Sequence, residues 1–273
     1  MQVIEANGAR IPTIGFGTMT LKEDICIKAV QDALKIGYRH LDTAAFYGNE
    51  REVGEGLRAS GMKREDVFIT TKVRQENLGA GDFEKSFDAS LENLKLPWVD
   101  LFLIHWPNPN IPLSVTIPLL NKVKRDGRAK HIGVANFTTA LLDEANRLTK
   151  EPLVTNQIEV HPFIDQSKVL DACKKYGMSV TAYCPIARGK VPGNEALDRI
   201  GKAHGKNPAQ VSLRYLTQLG KISPIPRTAN PQHMKENFEI FDFTLSDAEV
   251  AELKKLNATN MRVVNPPHAP KWD

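Results

Sequence analysis

The stretch Gly-Tyr-Arg-His-Leu-Asp-Thr-Ala-Ala-Phe-Tyr-Gly-Asn-Glu, residues 37–50, contains a short apolar strand, a polar strand end and the start of a helix. Asp42 comes at the end of the strand, and Tyr47 lies in the loop that follows, next to Gly48. A scaffold needs neither a carboxylate nor a phenol at these places. The stretch therefore predicts one strand–helix unit and, at the junction of its two parts, the beginning of a functional site.

The same order of apolar run, polar residue and helical stretch recurs along the chain. The apolar runs are residues 14–17, 40–41, 67–69, 99–104, 131–134, 154–158, 179–182 and 222–225. A repeat of roughly 30 residues predicts parallel β-strands with helices on the outside. Eight such units in about 250 residues favour a closed (β/α)8 TIM barrel, an α/β fold, and we expect residues 1–273 to form one domain.

An open, doubly wound sheet is the alternative fold. Against it, the segment Gly15-Phe16-Gly17-Thr18 lacks the third glycine of a dinucleotide-binding fingerprint.

Several local signals add detail to the barrel. Asn7-Gly8 predicts a type I′ β-hairpin within residues 2–14, which we expect to cap the barrel. Helix starts are predicted by capping residues followed by proline, by acidic residues or by a capping box; they lie at Asn49, Asp82, Asn207, Asn230 and Ser246. The last of these opens an extra C-terminal helix.

Composition narrows the class of partner. The formal net charge of +4 is spread along the chain without a basic block, which argues against nucleic acid and a membrane surface. The three cysteines are far apart and show no metal-ligand spacing, so we predict no metal site and a reducing compartment. With no leader-like start and no long apolar run, we expect a cytoplasmic monomer that acts on a small molecule.

Polar residues at the ends of the predicted strands form the candidate site. In a (β/α)8 barrel the carboxyl ends of all strands meet at one opening. The residues that this rule brings together are Asp42, Lys72, His105, Asn136, Gln157, Tyr183, Arg227 and Thr228.

Four residues suit the protonation of an oxygen that gains negative charge. At about 4 Å, a Lys72 charge would stabilise a Tyr47 phenolate by roughly 4 kcal/mol, so we expect it to bring the phenol pKa towards neutrality. Asp42 would keep Lys72 charged, and His105 would donate a hydrogen bond to a carbonyl oxygen. Taken singly, each has a structural interpretation: a solvated lysine, an aspartate in a turn, a packed histidine and a surface tyrosine.

Seven segments of the chain resemble the aldo-keto reductases, in particular the short bacterial members related to 2,5-diketo-gluconate reductases. They are residues 15–19, 41–50, 69–73, 100–107, 132–137, 156–159 and 225–228, and they occur in the family's order over nearly the whole chain. The resemblance implies a (β/α)8 barrel that reduces aldehydes and ketones to alcohols by hydride transfer from an extended nicotinamide cofactor. It also implies that Tyr47 is the general acid, that Asp42 and Lys72 tune it, and that His105 orients the carbonyl.

The same resemblance assigns cofactor and substrate contacts. Asn136 and Gln157 match positions that bind the nicotinamide amide, and Tyr183 matches the aromatic residue that stacks on its ring. The implied cofactor residues are Thr18, Met19, Asp42, Asn136, Gln157, Tyr183, Arg227, Thr228, His233, Glu236 and Asn237. The implied substrate residues are Phe46, Arg74, His105 and Trp106.

The chain departs from the family pattern at several positions. NADPH-selective members carry an arginine where this chain has His233, so we expect use of NADPH with appreciable use of NADH. Ala135 replaces a serine that contacts the amide. Met19 and Arg74 replace tryptophans, which leaves Trp106, Phe46 and Phe137 as the expected aromatic lining of an open pocket. Arg74 either attracts a carboxylate or polyol substrate or is simply a solvated surface residue.

Glyoxals, other small aldehydes and keto-sugars are the expected substrates. Two other functions are compatible with these residues. One is a barrel aldolase with Lys72 as a Schiff-base nucleophile. The other is an NADPH-binding regulatory or sensor protein with little turnover.

Overall fold

A computed structural model describes residues 2–273 and places eight strands in one parallel sheet, in chain order. The strands of this sheet are β3 (Phe16–Gly17), β4 (His40–Asp42), β5 (Phe68–Val73), β6 (Val99–Ile104), β7 (Ala129–Ala135), β8 (Leu153–Glu159), β9 (Ser179–Tyr183) and β10 (Ile222–Pro224). All eight predicted strands are confirmed. Most extend further than the apolar runs, so Lys72 and Tyr183 lie inside their strands, as Gln157 was already expected to do.

Two backbone hydrogen bonds join the first and last strands of the sheet. Gly15 N donates to Pro224 O and Gly17 N donates to Pro226 O, each at 3.0 Å. A Cβ atom on Gly17 would lie 2.8 Å from Ile225 O, so a residue without a side chain lets the two edges approach. The sheet is therefore closed into a barrel, and the open-sheet alternative is wrong.

The amino-terminal hairpin covers one end of this barrel. Strands β1 (Val3–Ala6) and β2 (Ala9–Pro12) pair antiparallel, and the turn residues Asn7 and Gly8 have φ values of 47° and 85°. Both positive values are those of the predicted type I′ turn. Ala9 and Ile11 pack in one buried cluster with residues from the inside of the barrel, namely Leu101, Leu103 and Val154.

Ten α-helices lie outside the strands in residues 2–273. They are α1 (Glu23–Ile36), α2 (Glu50–Ala59), α3 (Asp82–Leu94), α4 (Leu113–Arg125), α5 (Thr139–Leu148), α6 (Ser167–Lys175), α7 (Glu195–His204), α8 (Pro208–Gln218), α9 (Pro231–Phe238) and α10 (Asp247–Lys255). Helix α10 is the predicted C-terminal addition. The capping box at Ser246 and the side-chain caps at Asn207 and Asn230 are confirmed, and Asn207 also forms a capping box with Gln210.

One predicted cap is wrong. Asn49 precedes α2, but its side chain makes no capping hydrogen bond. Instead it accepts from Thr43 Oγ1 at 2.8 Å and donates to the carbonyl oxygens of Thr18 and Leu21 at 2.9 Å. The buried amide thereby ties the loops after β3 and β4 together, which holds the loop carrying Tyr47.

No helix in the described part of the chain is both long and apolar enough to cross a membrane.

Candidate active site

Lys72, Asp42 and Tyr47 form a connected group at the carboxyl ends of β4 and β5. Asp42 pairs with Thr70 in the parallel register, so the Asp42 and Lys72 side chains point to the same, inner side of the barrel. Lys72 is fully buried, and its Nζ donates to Asp42 Oδ1 at 2.6 Å, to Thr43 O at 2.8 Å and to Tyr47 OH at 3.3 Å. An ammonium has three protons for these three acceptors. Burial lowers the pKa of Lys72, and the Asp42 carboxylate opposes that shift.

The Tyr47 phenol differs from the expectation drawn from the sequence. Burial of the hydroxyl end raises the pKa of Tyr47 well above its ordinary value, and the nearby Asp42 and Cys184 add to the increase. The prediction that Lys72 brings this pKa towards neutrality is therefore wrong, because desolvation of the phenolate is the largest influence on the pKa. At neutral pH the Tyr47 hydroxyl keeps its proton and can donate it.

His105 directly follows β6 and faces Tyr47. The two rings meet edge to face, with 5.7 Å between their centroids. Burial, together with the positive charge of Lys72, lowers the pKa of His105 well below its ordinary value. The imidazole is therefore neutral at pH 7 and retains one N–H group for a hydrogen bond.

Three further strand-end side chains connect to this group. Gln157 Nε2 donates to Asp42 Oδ2 at 2.7 Å, next to the oxygen that Lys72 binds. Asn136 has a left-handed backbone with φ of 62°; its Nδ2 donates to His105 O at 2.9 Å and its Oδ1 accepts from Tyr183 OH at 2.7 Å. The predicted cofactor residues Asn136, Gln157 and Tyr183 therefore share one hydrogen-bonded opening with the predicted catalytic residues.

Residues after β10 lie at the start of α9. Arg227 is exposed, and no carboxylate of residues 2–273 lies within 4 Å of its guanidinium. The Asn230 side chain accepts from Gln232 N at 2.9 Å and from His233 N at 3.4 Å. The expected helix amino terminus is present, but its first N–H groups are already occupied, so Arg227 is the main positive charge there.

The other residues predicted at this end have separate surroundings. Thr228 Oγ1 accepts from Asn230 N at 3.0 Å, and its hydroxyl proton remains available to a ligand. Glu236 accepts from Gln232 Nε2 at 2.7 Å and from Asn207 Nδ2 at 3.0 Å. His233 is exposed and Asn237 is buried.

The residues predicted to line the pocket differ in their exposure. Met19 and Phe46 are 41% and 63% exposed, and Trp106 is half-buried. Thr18 is buried and donates from its hydroxyl to Asp42 O at 3.0 Å. Phe137 is only 1% exposed and belongs to the hydrophobic core, so its expected place in the lining is wrong.

Arg74 lies next to the exposed Phe46 ring but is already paired with Glu76. Its guanidinium carbon lies 5.3 Å from the centroid of the Phe46 ring, and its Nη2 lies 2.5 Å from Glu76 Oε1. A substrate carboxylate would therefore compete with an existing partner for Arg74.

The C-terminal segment after α10 was not predicted to contribute to the site. The ring centroids of His268 and Trp272 lie 5.2 Å and 6.1 Å from that of Trp106. The tail therefore covers one side of a pocket that was expected to be open. The sequence signal for this contribution was the presence of an imidazole, His268, and an indole, Trp272, within a short tail that has no periodic pattern.

A family model for the aldo/keto reductase family matches residues 13–258, and the chain belongs to this family. The methylglyoxal reductase DkgB of Escherichia coli O157:H7 is 37% identical over 267 residues, which cover 96% of this chain and 99% of the relative. A crystal structure described as a 2,5-diketo-D-gluconic acid reductase B superimposes with a TM-score of 0.98 at 45% identity and covers 100% of this chain and 98% of its own. The Bombyx mori aldo-keto reductase in complex with NADP gives a TM-score of 0.88 at 33% identity, covering 97% and 94%.

Family membership establishes the class of chemistry. The chain is an oxidoreductase of the aldo-keto reductase type with a TIM-barrel fold, and carbonyl reduction is the general reaction. The family uses a nicotinamide cofactor.

Proposed function

We propose that this protein reduces small aldehydes, glyoxals and keto-sugars to alcohols with NADPH, and also with NADH, using Tyr47 as the general acid. The observation that carries the proposal is the Tyr47 hydroxyl, 3.3 Å from the buried Lys72 ammonium at an opening that it shares with His105. Similarity to a methylglyoxal reductase supports small dicarbonyl compounds as substrates.

The roles of the four residues follow from their protonation states. A nicotinamide cofactor supplies a hydride when it is bound. His105, neutral with one N–H, donates a hydrogen bond to the carbonyl oxygen and orients it towards the phenol. Tyr47 gives its proton to this oxygen as negative charge develops there. Lys72 stabilises the resulting phenolate, and Asp42 keeps Lys72 charged.

The strand ends carry groups that fit a dinucleotide. Asn136 and Gln157 would hold the carboxamide, and the Tyr183 ring would lie against the nicotinamide. In residues 2–273 the Gln157 side chain uses only one donor, towards Asp42, so its amide oxygen and second N–H can bind a ligand. Thr18 and Met19 would line the same end of the cofactor.

At the other end, Arg227 offers an unpaired charge and Thr228 a hydroxyl proton to a phosphate. Glu236 and Asn237 would border the adenosine. His233 stands where NADPH-selective members carry an arginine, so the permanent charge of an arginine is missing beside a 2′-phosphate, which supports the use of both cofactors. Phe46, Trp106 and the rim arginine Arg74 would contact the substrate together with His105.

The environment of Lys72 weighs against a Schiff-base aldolase. A neutral amine could donate to only two of the three acceptors around Nζ, and attack on a carbonyl would need a free lone pair. Borohydride treatment with a carbonyl substrate should therefore leave Lys72 unmodified. A sensor protein would instead bind NADPH and show negligible turnover.

The test is the oxidation of NADPH and of NADH, followed with glyoxals, aromatic aldehydes and keto-sugars and repeated with Tyr47→Phe. We expect wild-type turnover with both cofactors and a fall in kcat of about 10²- to 10⁴-fold in the variant, the usual contribution of a general acid. Cofactor affinity should stay close to normal, because the only protein hydrogen bond of the Tyr47 hydroxyl within residues 2–273 is to Lys72. Substantial residual turnover in Tyr47→Phe would show that another group supplies the proton.

A further inference from the structure

We propose that Arg262, in the C-terminal tail, binds a carboxylate of the substrate, so that acidic aldehydes and ketones are preferred over neutral ones. The inference rests on the proposed carbonyl reductase function and names a substrate class and a binding residue for the same site.

The tail that carries Arg262 is held in place by a buried carboxylate. Glu159 is the last residue of β8, is fully buried and lies opposite Tyr183 in the register of β8 and β9. Its Oε1 accepts from Val263 N at 2.6 Å and its Oε2 accepts from Val264 N at 2.8 Å. His161 Nε2 lies 3.0 Å from Oε1. The backbone next to Arg262 is therefore fixed beside a strand end that faces the active site.

The Arg262 side chain is linked to the active site through two tryptophan rings. Its guanidinium carbon lies 3.9 Å from the centroid of the Trp272 ring, and Trp272 packs against Trp106, the neighbour of His105. Trp272 is itself oriented by a hydrogen bond of 2.9 Å from its Nε1 to Asn265 Oδ1. The charge of Arg262 also acts on the Tyr183 phenol, where it opposes the burial that raises the pKa of that group.

Arg262 has no protein partner of opposite charge. Within the described chain no carboxylate lies within 4 Å of its guanidinium, and its buried Nη1 makes no hydrogen bond. The nearby Glu159 carboxylate is already occupied by the two tail amides and by His161. A guanidinium remains protonated at neutral pH, and its planar set of donors matches a carboxylate. Arg262 is thus a preoriented cation beside Trp272 with at least one unused donor.

Arg74 is the rival for this role, since the sequence pointed to it first. It pairs with Glu76, with 2.5 Å between Nη2 and Oε1, whereas Arg262 is unpaired. A substrate carboxylate would meet a charge without a counter-ion at Arg262, but a charge already balanced by Glu76 at Arg74. The structure therefore favours the tail arginine.

Two aldehydes of similar shape separate charge recognition from general pocket effects: 4-carboxybenzaldehyde and 4-methylbenzaldehyde. We expect Arg262→Gln to raise the KM for the carboxylate substrate about 10- to 100-fold, the loss of one charge-assisted hydrogen-bonded pair, and to change the KM for the methyl substrate less than about threefold. Arg262→Lys should recover part of the loss. Lys271→Gln is the matched control because it removes one positive charge from the same tail, at an exposed residue, and it should leave the ratio of the two KM values unchanged.

Three results would overturn the inference. Equal increases in both KM values for Arg262→Gln would show that Arg262 only supports the tail through Trp272. A selective increase for the acidic aldehyde in Arg74→Gln alone would return the role to Arg74. If wild-type protein with NADPH or NADH reduced no carbonyl compound, including both aldehydes, the proposed function would fail, and this inference with it.

Discussion

Removal of the Lys72 charge tests the electrostatic part of the proposed mechanism. Lys72 Nζ lies 3.3 Å from the Tyr47 hydroxyl oxygen, which would become negative as its proton leaves. At an effective dielectric constant of about 20, unit charges at this separation interact by about 5 kcal/mol. If roughly half of the charge has formed in the transition state, Lys72 contributes about 2.5 kcal/mol, or roughly 70-fold in kcat.

A substitution of Lys72 can be interpreted only if Asp42, its counter-ion, is replaced as well. Lys72→Met alone leaves Asp42 buried without its counter-ion, and breaking a buried pair in this way costs about 3–5 kcal/mol of stability. In Lys72→Met with Asp42→Asn both charges are absent, and the side-chain oxygen of the introduced amide can still accept from Gln157. We expect the double variant to be more stable than the single one and both to lose at least about 70-fold in kcat.

The assay is kcat for aldehyde reduction at saturating NADPH, together with urea unfolding of the three proteins. The free energies of unfolding show whether a variant loses kcat because it is unfolded or because the Lys72 charge is missing. A double variant that keeps its fold and retains kcat within about threefold of wild type would refute the reasoning, because the phenolate would then not need Lys72.

Two further predictions concern pH and cofactor choice. The active forms are protonated Tyr47, whose pKa is raised well above 10, and neutral His105, whose pKa is lowered well below 6.5. Neither group changes its protonation between pH 6.5 and pH 10, so kcat/KM should stay level over this range. If kcat/KM already declined before pH 8 as the pH is raised, this would contradict a protonated phenol beside a charged lysine. His233→Arg should raise the preference for NADPH over NADH by about 10- to 100-fold, since it adds one charge-assisted hydrogen bond. A wild-type ratio of catalytic efficiencies above about a thousand in favour of NADPH would rule out appreciable use of NADH.

The strands and the positions of the main site residues were predictable because they depend on short repeating patterns. Apolar runs followed by polar residues located Asp42, Lys72 and His105, since parallel strands bring their carboxyl ends to one opening. Closure of the barrel was inferred only from the number of units. Its physical basis, the approach of Gly17 to Ile225 O, depends on a contact between distant parts of the chain.

Other features depend on tertiary packing that no local pattern encodes. Asn49 had the sequence context of a helix cap, but the fold uses its amide to join two loops. The C-terminal tail has no periodicity. Its His268 and Trp272 were a compositional signal, but neither their contact with Trp106 nor the unpaired state of Arg262 could be inferred from it. The balance of influences on Tyr47 also depends on how completely the protein surrounds the hydroxyl, which spacing along the sequence does not reveal.

The raised pKa of Tyr47 changes the role that Lys72 can play in the proposed mechanism. Were the phenol half ionised at neutral pH, Lys72 would act before the reaction, and part of the protein would lack the proton to be donated. Burial instead keeps the proton on Tyr47 until a neighbouring oxygen becomes negative. The Lys72 ammonium, held by Asp42 and Thr43 O, then meets a charge that is absent in the ground state and develops as the proton leaves. An interaction that is stronger in the transition state than in the ground state raises kcat, which is why the effect of Lys72 should be sought in kcat rather than in KM.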